Sequence, residues 1–284
     1  MSLFIDRTAV IATMHRKEEA IAPLLTQHLG VCPIVPPFFN TDQFGTFTRD
    51  VKRAGDQMEA ARAKAEAVLT LTGEQLAVAS EGSFGPHPLF PALPCDRELV
   101  LLLDQKLGLE VVGQVLSTAT NFSHARVQTP DEARRFAQKV GFPAHGLVVM
   151  VHANPQNPEH IFKGITTEET LEQALDLAFS YSPDGQVHVE TDMRALYNPS
   201  RMKVIAAATE DLIAKLNHCC PQCDWPGFEL IERKAGLRCE LCSMPTPLTR
   251  STVYRCRKCE YQEEIPFPDG VETADPSQCQ YCNP

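Results

Sequence analysis

The chain has 284 residues, of which 43% are hydrophobic and 22% charged, and its formal net charge at pH 7 is −10. This composition is that of a globular protein with room for one domain of about 200 residues and a smaller one. The negative charge gives no support for a surface that binds DNA or a membrane, and no apolar run approaches the ~18 residues that a membrane span needs. The N-terminus lacks the basic and apolar regions of a signal peptide, so the eleven cysteines indicate a reducing, cytoplasmic location.

The first elements in the chain predict a strand, a helix and a second strand. Residues 8–13 form a short β-rich apolar run, and Met14 opens a segment whose apolar side chains recur at helical spacing up to Leu29. Gly30 ends this helix, and residues 31–35 predict the second strand. This order is typical of an α/β domain. The polar stretch 40–48 then predicts a surface loop, with substrate contact as the alternative.

A second helix is predicted over residues 56–71, and a buried strand follows over residues 76–79. We expect this strand to end in the segment 80–88, which holds Glu81, two glycines and a histidine. Open α/β sheets bind their ligands at the carboxyl ends of strands, which makes the segment a candidate site. A plain turn with a solvated Glu81 is the equal alternative.

The remaining elements complete a mixed sheet flanked by helices over residues 1–217. Strands are predicted at 97–103, 109–116, 121–127, 146–152 and 187–189. Thr129 and Pro130 have the residue types of a helix N-cap and first position, and that helix runs to Val140. Two further helices are predicted over 166–181 and from Asn198 to about residue 216.

The C-terminal segment, residues 218–284, carries four Cys-x-x-Cys pairs. Each pair can present two thiolates to one cation, and two pairs complete a tetrahedral structural zinc site. Eight paired cysteines therefore predict two zinc ions in a double zinc ribbon, with no coordination position open to a substrate. The predicted ligands are Cys220, Cys223, Cys239, Cys242, Cys256, Cys259, Cys279 and Cys282.

The gaps between successive pairs are 15, 13 and 19 residues. The two outer gaps lie near the usual range for one site, so we favour a sequential assignment in which the first two pairs share an ion and the last two share the other. An interleaved assignment, in which alternate pairs share an ion, stays open. The segment has seven Lys/Arg against ten Asp/Glu, and each zinc with four thiolates adds a charge of −2. This balance favours a protein partner over nucleic acid.

Several longer motifs resemble one uncharacterised bacterial family. They are ATMHRKEEAIAPLL, DQFGTFT, EAARAKAEA, ASEGSFGPHP, ETDMRA with NPSRM, and the tail CPQC, CELC, CRKC and CQYCNP. That family is a domain of unknown function with a zinc-ribbon end. The resemblance spans nearly the whole chain and implies the zinc ribbon, but no activity.

The first 85 residues also resemble the opening of the Maf and inosine-triphosphate pyrophosphatase folds. The matching positions are Thr13, Arg16 and Lys17 after the first strand, Glu59, Lys64 and Ala65 on the second helix, and Glu81 after the next strand. Met14 and His15 stand where those folds have Asn or Ser. The resemblance implies Mg²⁺-dependent hydrolysis of a nucleoside triphosphate between the α and β phosphates.

This resemblance implies a role for each candidate residue. Glu59, Glu81 and Lys64 would be catalytic, with the two carboxylates holding Mg²⁺ and orienting water. Phosphate charge would be met by Thr13, Arg16, Lys17, Arg194 and Arg201. The alternative function is a non-enzymatic binding module that docks a protein partner through the zinc tail.

Overall fold

The structure is a computed structural model that describes residues 3–44 and 55–284. Residues 45–48 of the predicted polar loop lie outside these ranges. By their contacts, the residues form two compact units, Met1–Ile213 and Ala214–Pro284. None of the helices in the described parts of the chain is both long and apolar enough to cross a bilayer.

The described parts of the chain contain five α-helices, several of which end where local sequence predicts. They are α1 (Glu18–Leu29), α2 (Gln57–Thr72), α3 (Pro130–Lys139), α4 (Glu168–Tyr181) and α5 (Pro199–Asn217). Gly30 and Gly73 end α1 and α2 with φ values of 68° and 74°, a left-handed conformation that favours glycine. The hydroxyl of Thr129 caps α3 as predicted. Helix α1 begins later than predicted, because residues before it form a turn in which Arg16 has a φ of 60°.

The first sheet has five strands in the order β2-β1-β3-β4-β5. They are β1 (Thr8–Ala12), β2 (Cys32–Ile34), β3 (Leu76–Pro86), β4 (Pro94–Asp104) and β5 (Leu109–Ser117). Strand β1 is parallel to β2 and β3, whereas β4 is antiparallel to β3 and β5. This mixed sheet confirms the predicted fold class.

Strand β3 is much longer than the sequence indicates. We expected it to end after Ala79, but it continues to Pro86, and Glu81 lies inside it opposite Leu99 of β4. The placement of Glu81 after the strand was therefore wrong. The reason is that β4 pairs with every residue of β3, and this pairing overrides the local turn preference of the two glycines. Strand β1 stops earlier, with Ala12 opposite Ala79, so β1 does not cover β3 beyond Ala79.

Helices cover both faces of this sheet. Helix α2 packs Ala61, Ala65 and Val68 against alternate residues of the three central strands, including Ala77 and Leu101. On the opposite face, α5 lies so close to β5 that a Cβ on Gly113 would collide with the backbone of Ala208 and Leu212. Because side chains alternate along a strand, odd-numbered positions of β3 and β4 face α2 and even-numbered positions face α5.

The second sheet of the same unit is antiparallel, in the order β6-β9-β7-β8. Its strands are β6 (His124–Val127), β7 (Leu147–Met150), β8 (Ile161–Ile165) and β9 (Val187–Thr191). Strand β8 was not predicted. Helices α3 and α4 share a buried apolar cluster with this sheet, in which Phe136 and Leu175 meet Val149 and Val189.

The C-terminal unit is built from short strands between the Cys-x-x-Cys pairs. They are β10 (Glu229–Ala235), β11 (Arg238–Cys239), β12 (Thr249–Arg255), β13 (Gln262–Pro266) and β14 (Thr273–Ala274). Strands β10, β12 and β13 form an antiparallel sheet in that order, and β11 pairs with β14 in parallel. The unit fits the predicted double zinc ribbon.

Candidate functional sites

The eight paired cysteines form two quartets, and each quartet can hold one metal ion. The first quartet is Cys220, Cys223, Cys256 and Cys259, and the second is Cys239, Cys242, Cys279 and Cys282. In the first, Sγ atoms lie 3.7 Å apart (Cys220 to Cys259) and 3.6 Å apart (Cys223 to Cys256). A tetrahedral ion with Zn–S bonds of ~2.3 Å requires sulfur atoms about 3.8 Å apart. The quartets therefore fit zinc in size as well as in donor type.

The turns that carry the cysteines share one backbone hydrogen bond. The amide after each pair donates to the carbonyl of the first cysteine, as in Asp224 N to Cys220 O at 2.9 Å and Glu260 N to Cys256 O at 3.0 Å. Ser243 and Asn283 make the same bond in the second quartet. Each turn is thus closed by its own backbone, which fixes the direction of both thiolates.

The sequential assignment of cysteines was wrong, and the quartets are interleaved. Antiparallel pairing places Glu229, at the start of β10, opposite Arg255, at the end of β12. The pairs at 220/223 and 256/259 therefore meet at one end of this hairpin. Strand β10 has seven residues, which at ~3.4 Å each make it about 24 Å long. The pair at 239/242 lies beyond its other end. Pairing of β11 with β14 then leads the chain to the pair at 279/282.

Six charged side chains are buried together in the N-terminal unit, and we call them the charge cluster. They come from the turn before α1, from α2, β3 and β4, and from α5. As a whole residue, each is at most 6% exposed. The members of the charge cluster are Lys17, Lys64, Glu81, Asp96, Glu98 and Arg201.

The ion pair between Lys64 and Glu81 joins α2 to β3. Glu81 has an odd number and so faces α2, where Lys64 lies one helical turn from the apolar contact at Ala61. Their side chains are 8% and 6% exposed. Gln57, in the first turn of α2, donates from Nε2 to the Glu81 carbonyl at 2.7 Å and to the Arg97 carbonyl at 2.8 Å. These contacts fix the N-terminus of α2 over the middle of β3.

The second ion pair, between Arg201 and Glu98, joins α5 to the opposite face of β4. Arg201 Nε donates to Glu98 Oε1 at 2.6 Å, and both side chains are fully buried. Arg201 Nη1 also donates to the carbonyl of Met193 at 2.5 Å. Gly82 lies opposite Glu98 in the sheet, and a Cβ there would collide with both members of the pair. Glycine at this position is what lets the pair lie against β3.

Lys17 lies between the two ion pairs, beyond the end of β1. Its Nζ donates to the Ser80 carbonyl at 3.2 Å, on the edge of β3 that β1 no longer covers. Burial lowers the pKa of Lys17 to about 7, and the neighbouring Arg201 and Lys64 add to the effect while Glu98 and Glu81 oppose it. At neutral pH the amine is therefore close to half protonated, so it can both give and take a proton.

Asp96 is the third carboxyl of the charge cluster and faces α5 beside Glu98. The pKa of Asp96 is raised to about 8, chiefly by burial and then by the Glu98 charge, against the opposing effect of Arg201. Neither Asp96 oxygen accepts a hydrogen bond from a described residue. This agrees with a protonated, uncharged carboxyl, because an ionised carboxylate buried without hydrogen bonds is far more costly. At pH 7 the Asp96 carboxyl is therefore neutral.

The structure brings together four of the predicted site residues and separates three others. Lys17, Lys64, Glu81 and Arg201 belong to the charge cluster, and Thr13 is buried in the turn that leads to Lys17. Glu59 is exposed and accepts from the Asp56 amide in the capping box of α2. Arg16 is exposed and pairs with Glu19, and Arg194 pairs with Asp192 at 2.6 Å.

The two carboxylates that the sequence assigns to Mg²⁺ lie in different surroundings. Glu59 and Glu81 do not meet, because Glu59 caps the helix while Glu81 pairs with Lys64. The expected Mg²⁺ site on these two carboxylates gains no support from their positions and stays a prediction. Within residues 3–44 and 55–284, the groups of three or more metal-capable side chains are the two cysteine quartets alone.

Asp96 and Glu98 were missed as site residues. They are two residues apart in β4, directly before its apolar run, so both side chains point to the same face of the strand. The apolar residues that follow them in this strand are largely buried. Two carboxylates at this spacing inside a buried strand are the signal that could have identified them.

Comparison with known proteins gives a family but no activity. One solved structure that the chain resembles is the crystal structure of protein VC0702 from Vibrio cholerae, at 9% identity and a TM-score of 0.33, over 75% of this chain and 97% of that one. Likeness at this level supports no statement about fold or function. No curated protein matches the chain. The model of a domain of unknown function, DUF6671, matches residues 64–284, and the chain therefore belongs to that family.

Proposed function

We propose that the charge cluster is the catalytic centre of a nucleotide phosphohydrolase that cleaves a nucleoside triphosphate between the α and β phosphates. The observation that carries the proposal is the position of Lys17, a buried amine between two buried ion pairs where β1 stops and β3 continues. Buried ionisable groups with displaced pKa values are common at functional sites, because burying charge is costly.

Electrostatics supports an anionic substrate. Asp96 is protonated at pH 7, so the carboxylates of the charge cluster that form ion pairs are Glu81 and Glu98. They are matched by Lys64 and Arg201, with which they pair. A phosphate that enters beside Lys17 would draw a proton onto this amine and gain a full ion pair in surroundings of low dielectric.

The proposed reaction needs one base and several cations. Water attacks the α-phosphorus, its proton passes to Glu81, and the bond from the α-phosphorus to the bridging oxygen breaks to release pyrophosphate. Lys17 and Lys64 offset the charge that develops on the phosphate oxygens. Mg²⁺ would arrive bound to the phosphates of the substrate, as it commonly does with nucleotides.

The test is pyrophosphate release from a panel of nucleoside triphosphates, with and without Mg²⁺. Glu81→Gln and Lys17→Met should each lower the rate at least ~100-fold, the usual scale for a proton-transfer or charge-stabilising group. Glu59→Gln is the matched control, since it replaces an exposed carboxylate and glutamine also serves in a capping box. No turnover with any nucleotide, or turnover unchanged by Glu81→Gln, would overturn the proposal.

We infer that the quartets hold zinc, because four thiolates in a closed tetrahedron favour it. A reducing, cytoplasmic location is part of this inference, since the thiols must stay reduced to bind metal. Elemental analysis should give two zinc ions per chain. Another metal, or a disulfide in the purified protein, would contradict the assignment.

A second candidate function is docking of a protein partner by the C-terminal unit. Leu241 and Tyr281 lie in the two turns of the second quartet and are 73% and 63% exposed. Large apolar side chains on the two turns of one metal site form an exposed patch of the kind that binds proteins. The double variant Leu241→Ser/Tyr281→Ser should lose a co-purifying partner while it keeps both metal ions. A partner that binds the double variant equally well would exclude this surface.

A further inference from the structure

A shallow cavity of about 270 Å³, largely open to the surface, lies beside the C-terminal end of β3 and the N-terminal end of β4. Its walls come from Gly85, Pro86 and Pro94 of these strands and from Phe122, Ser123 and His124 at the start of β6. The lining carries no Lys, Arg, Asp or Glu side chain. Ligand cavities usually measure ~300–1,000 Å³. This cavity therefore suits one ring system of a ligand better than a whole ligand.

The Phe84 ring connects the cavity to the part of the charge cluster on the α5 face of the sheet. Arg201 Cζ lies 5.2 Å from its centroid, and the Phe122 ring lies 5.7 Å from it. Phe84 is thus in contact with the arginine of the cluster and with an aromatic wall of the cavity. Gly82, which contacts the Arg201–Glu98 pair, is three residues from Gly85, or about 10 Å along the strand.

The chemistry of the two regions is complementary. The charge cluster offers three basic side chains, whereas the cavity offers aromatic rings, the Ser123 hydroxyl and the His124 ring. Phe122 and His124 stand edge to face with centroids 6.5 Å apart. Aromatic rings with nearby polar atoms bind a flat heterocycle by stacking and by hydrogen bonds to its edge.

We propose that this cavity binds the nucleobase of the substrate whose phosphates lie at the charge cluster. The inference rests on the proposed function, because the cluster must hold the phosphates. It assigns Phe122 to base stacking, and Ser123 and His124 to contact with the edge of the base. It also defines the substrate as a nucleotide and not an inorganic polyphosphate.

The test compares two ligands by calorimetric titration of the full-length protein. One is a nucleoside triphosphate analogue with a methylene group between the α and β phosphates, which cannot be cleaved there, and the other is inorganic tripolyphosphate. Phe122→Leu, which keeps apolar volume but removes the ring, should weaken binding of the analogue roughly 5- to 100-fold, the scale of base–aromatic stacking. It should leave tripolyphosphate binding unchanged. Tyr181→Leu, which removes an exposed ring of α4, is the control and should change neither affinity.

The outcomes separate this inference from the proposed function. If the wild type binds both ligands equally, or if Phe122→Leu binds the analogue as well as the wild type, the base site is wrong even where the protein hydrolyses nucleotides. If the analogue binds through Phe122 but no nucleotide is cleaved, the base site stands and the hydrolase proposal fails. If neither ligand binds, both are overturned.

Discussion

Replacing Asp96 by asparagine should change how stability depends on pH. The pKa of Asp96 is raised from 3.8 to about 8, so between these values the folded protein keeps a proton that the unfolded chain releases. Binding of this proton therefore adds to the free energy of unfolding of the wild type. The contribution is fully present below pH ~4 and is lost as pH rises towards 8. Asparagine has nearly the same shape as a protonated aspartic acid but cannot ionise, so it removes this pH dependence.

The size of the effect follows from the displaced pKa. Each pH unit inside this window changes the free energy of unfolding by about 1.4 kcal/mol. Between pH 5 and 7, Asp96→Asn should therefore gain on the order of 2–3 kcal/mol relative to wild type. Lys17, with a pKa of about 7 against 10.5 when unfolded, contributes a rise in stability only above pH ~7 and lies outside this interval.

The assay is urea unfolding at pH 5, 6 and 7, followed by far-UV circular dichroism with the metal sites filled. Tryptophan fluorescence is unsuitable, because the single tryptophan, Trp225, lies in the C-terminal unit. Asp176→Asn, on the exposed surface of α4, serves as the control for removal of a carboxylate. If the Asp96→Asn and wild-type free energies stay parallel across this range, Asp96 is not protonated in the folded protein and the reasoning fails.

Three further predictions concern the ion pairs and the metal sites. Arg201→Met should cost about 3–5 kcal/mol of unfolding free energy, because it leaves Glu98 buried without its cation, and an undiminished urea midpoint would contradict this. Gly82→Ala should cost ~1–3 kcal/mol by its clash with the Arg201–Glu98 pair, whereas Gly85→Ala, which meets open space, should leave the midpoint nearly unchanged. The double variant Cys239→Ser/Cys282→Ser damages one quartet and should retain one metal ion. Cys220→Ser/Cys239→Ser damages both quartets and should retain neither ion. Equal metal content in the two variants would refute interleaved pairing.

Local sequence was a good guide wherever a short-range interaction decides the structure. The N-cap at Thr129 and the glycines after α1 and α2 depend on backbone preferences of single residues, and the helices end where these residues indicate. The prediction that β3 ends before residues 80–88 was wrong because a long-range interaction decides the structure there. Its glycines permit a turn, but hydrogen bonds to β4 along the whole of β3 hold the segment extended.

The charge cluster was predictable only in part. The resemblance to known pyrophosphatases pointed to Lys17, Lys64 and Glu81, which the structure places together. It also pointed to Glu59, whose side chain instead caps its own helix. Asp96 and Glu98 join the cluster through antiparallel pairing of β4 with β3, a contact between strands that no local pattern specifies.

The cysteine spacing alone determined the donor set of the C-terminal unit, because two thiolates separated by two residues can face one cation wherever the turn lies in the fold. Spacing could not determine which turns share an ion. That was decided by β10 and β12, whose antiparallel pairing carries the second turn away from the first and brings the third beside it. The length of two strands, and not the length of the gaps between cysteines, sets the pairing.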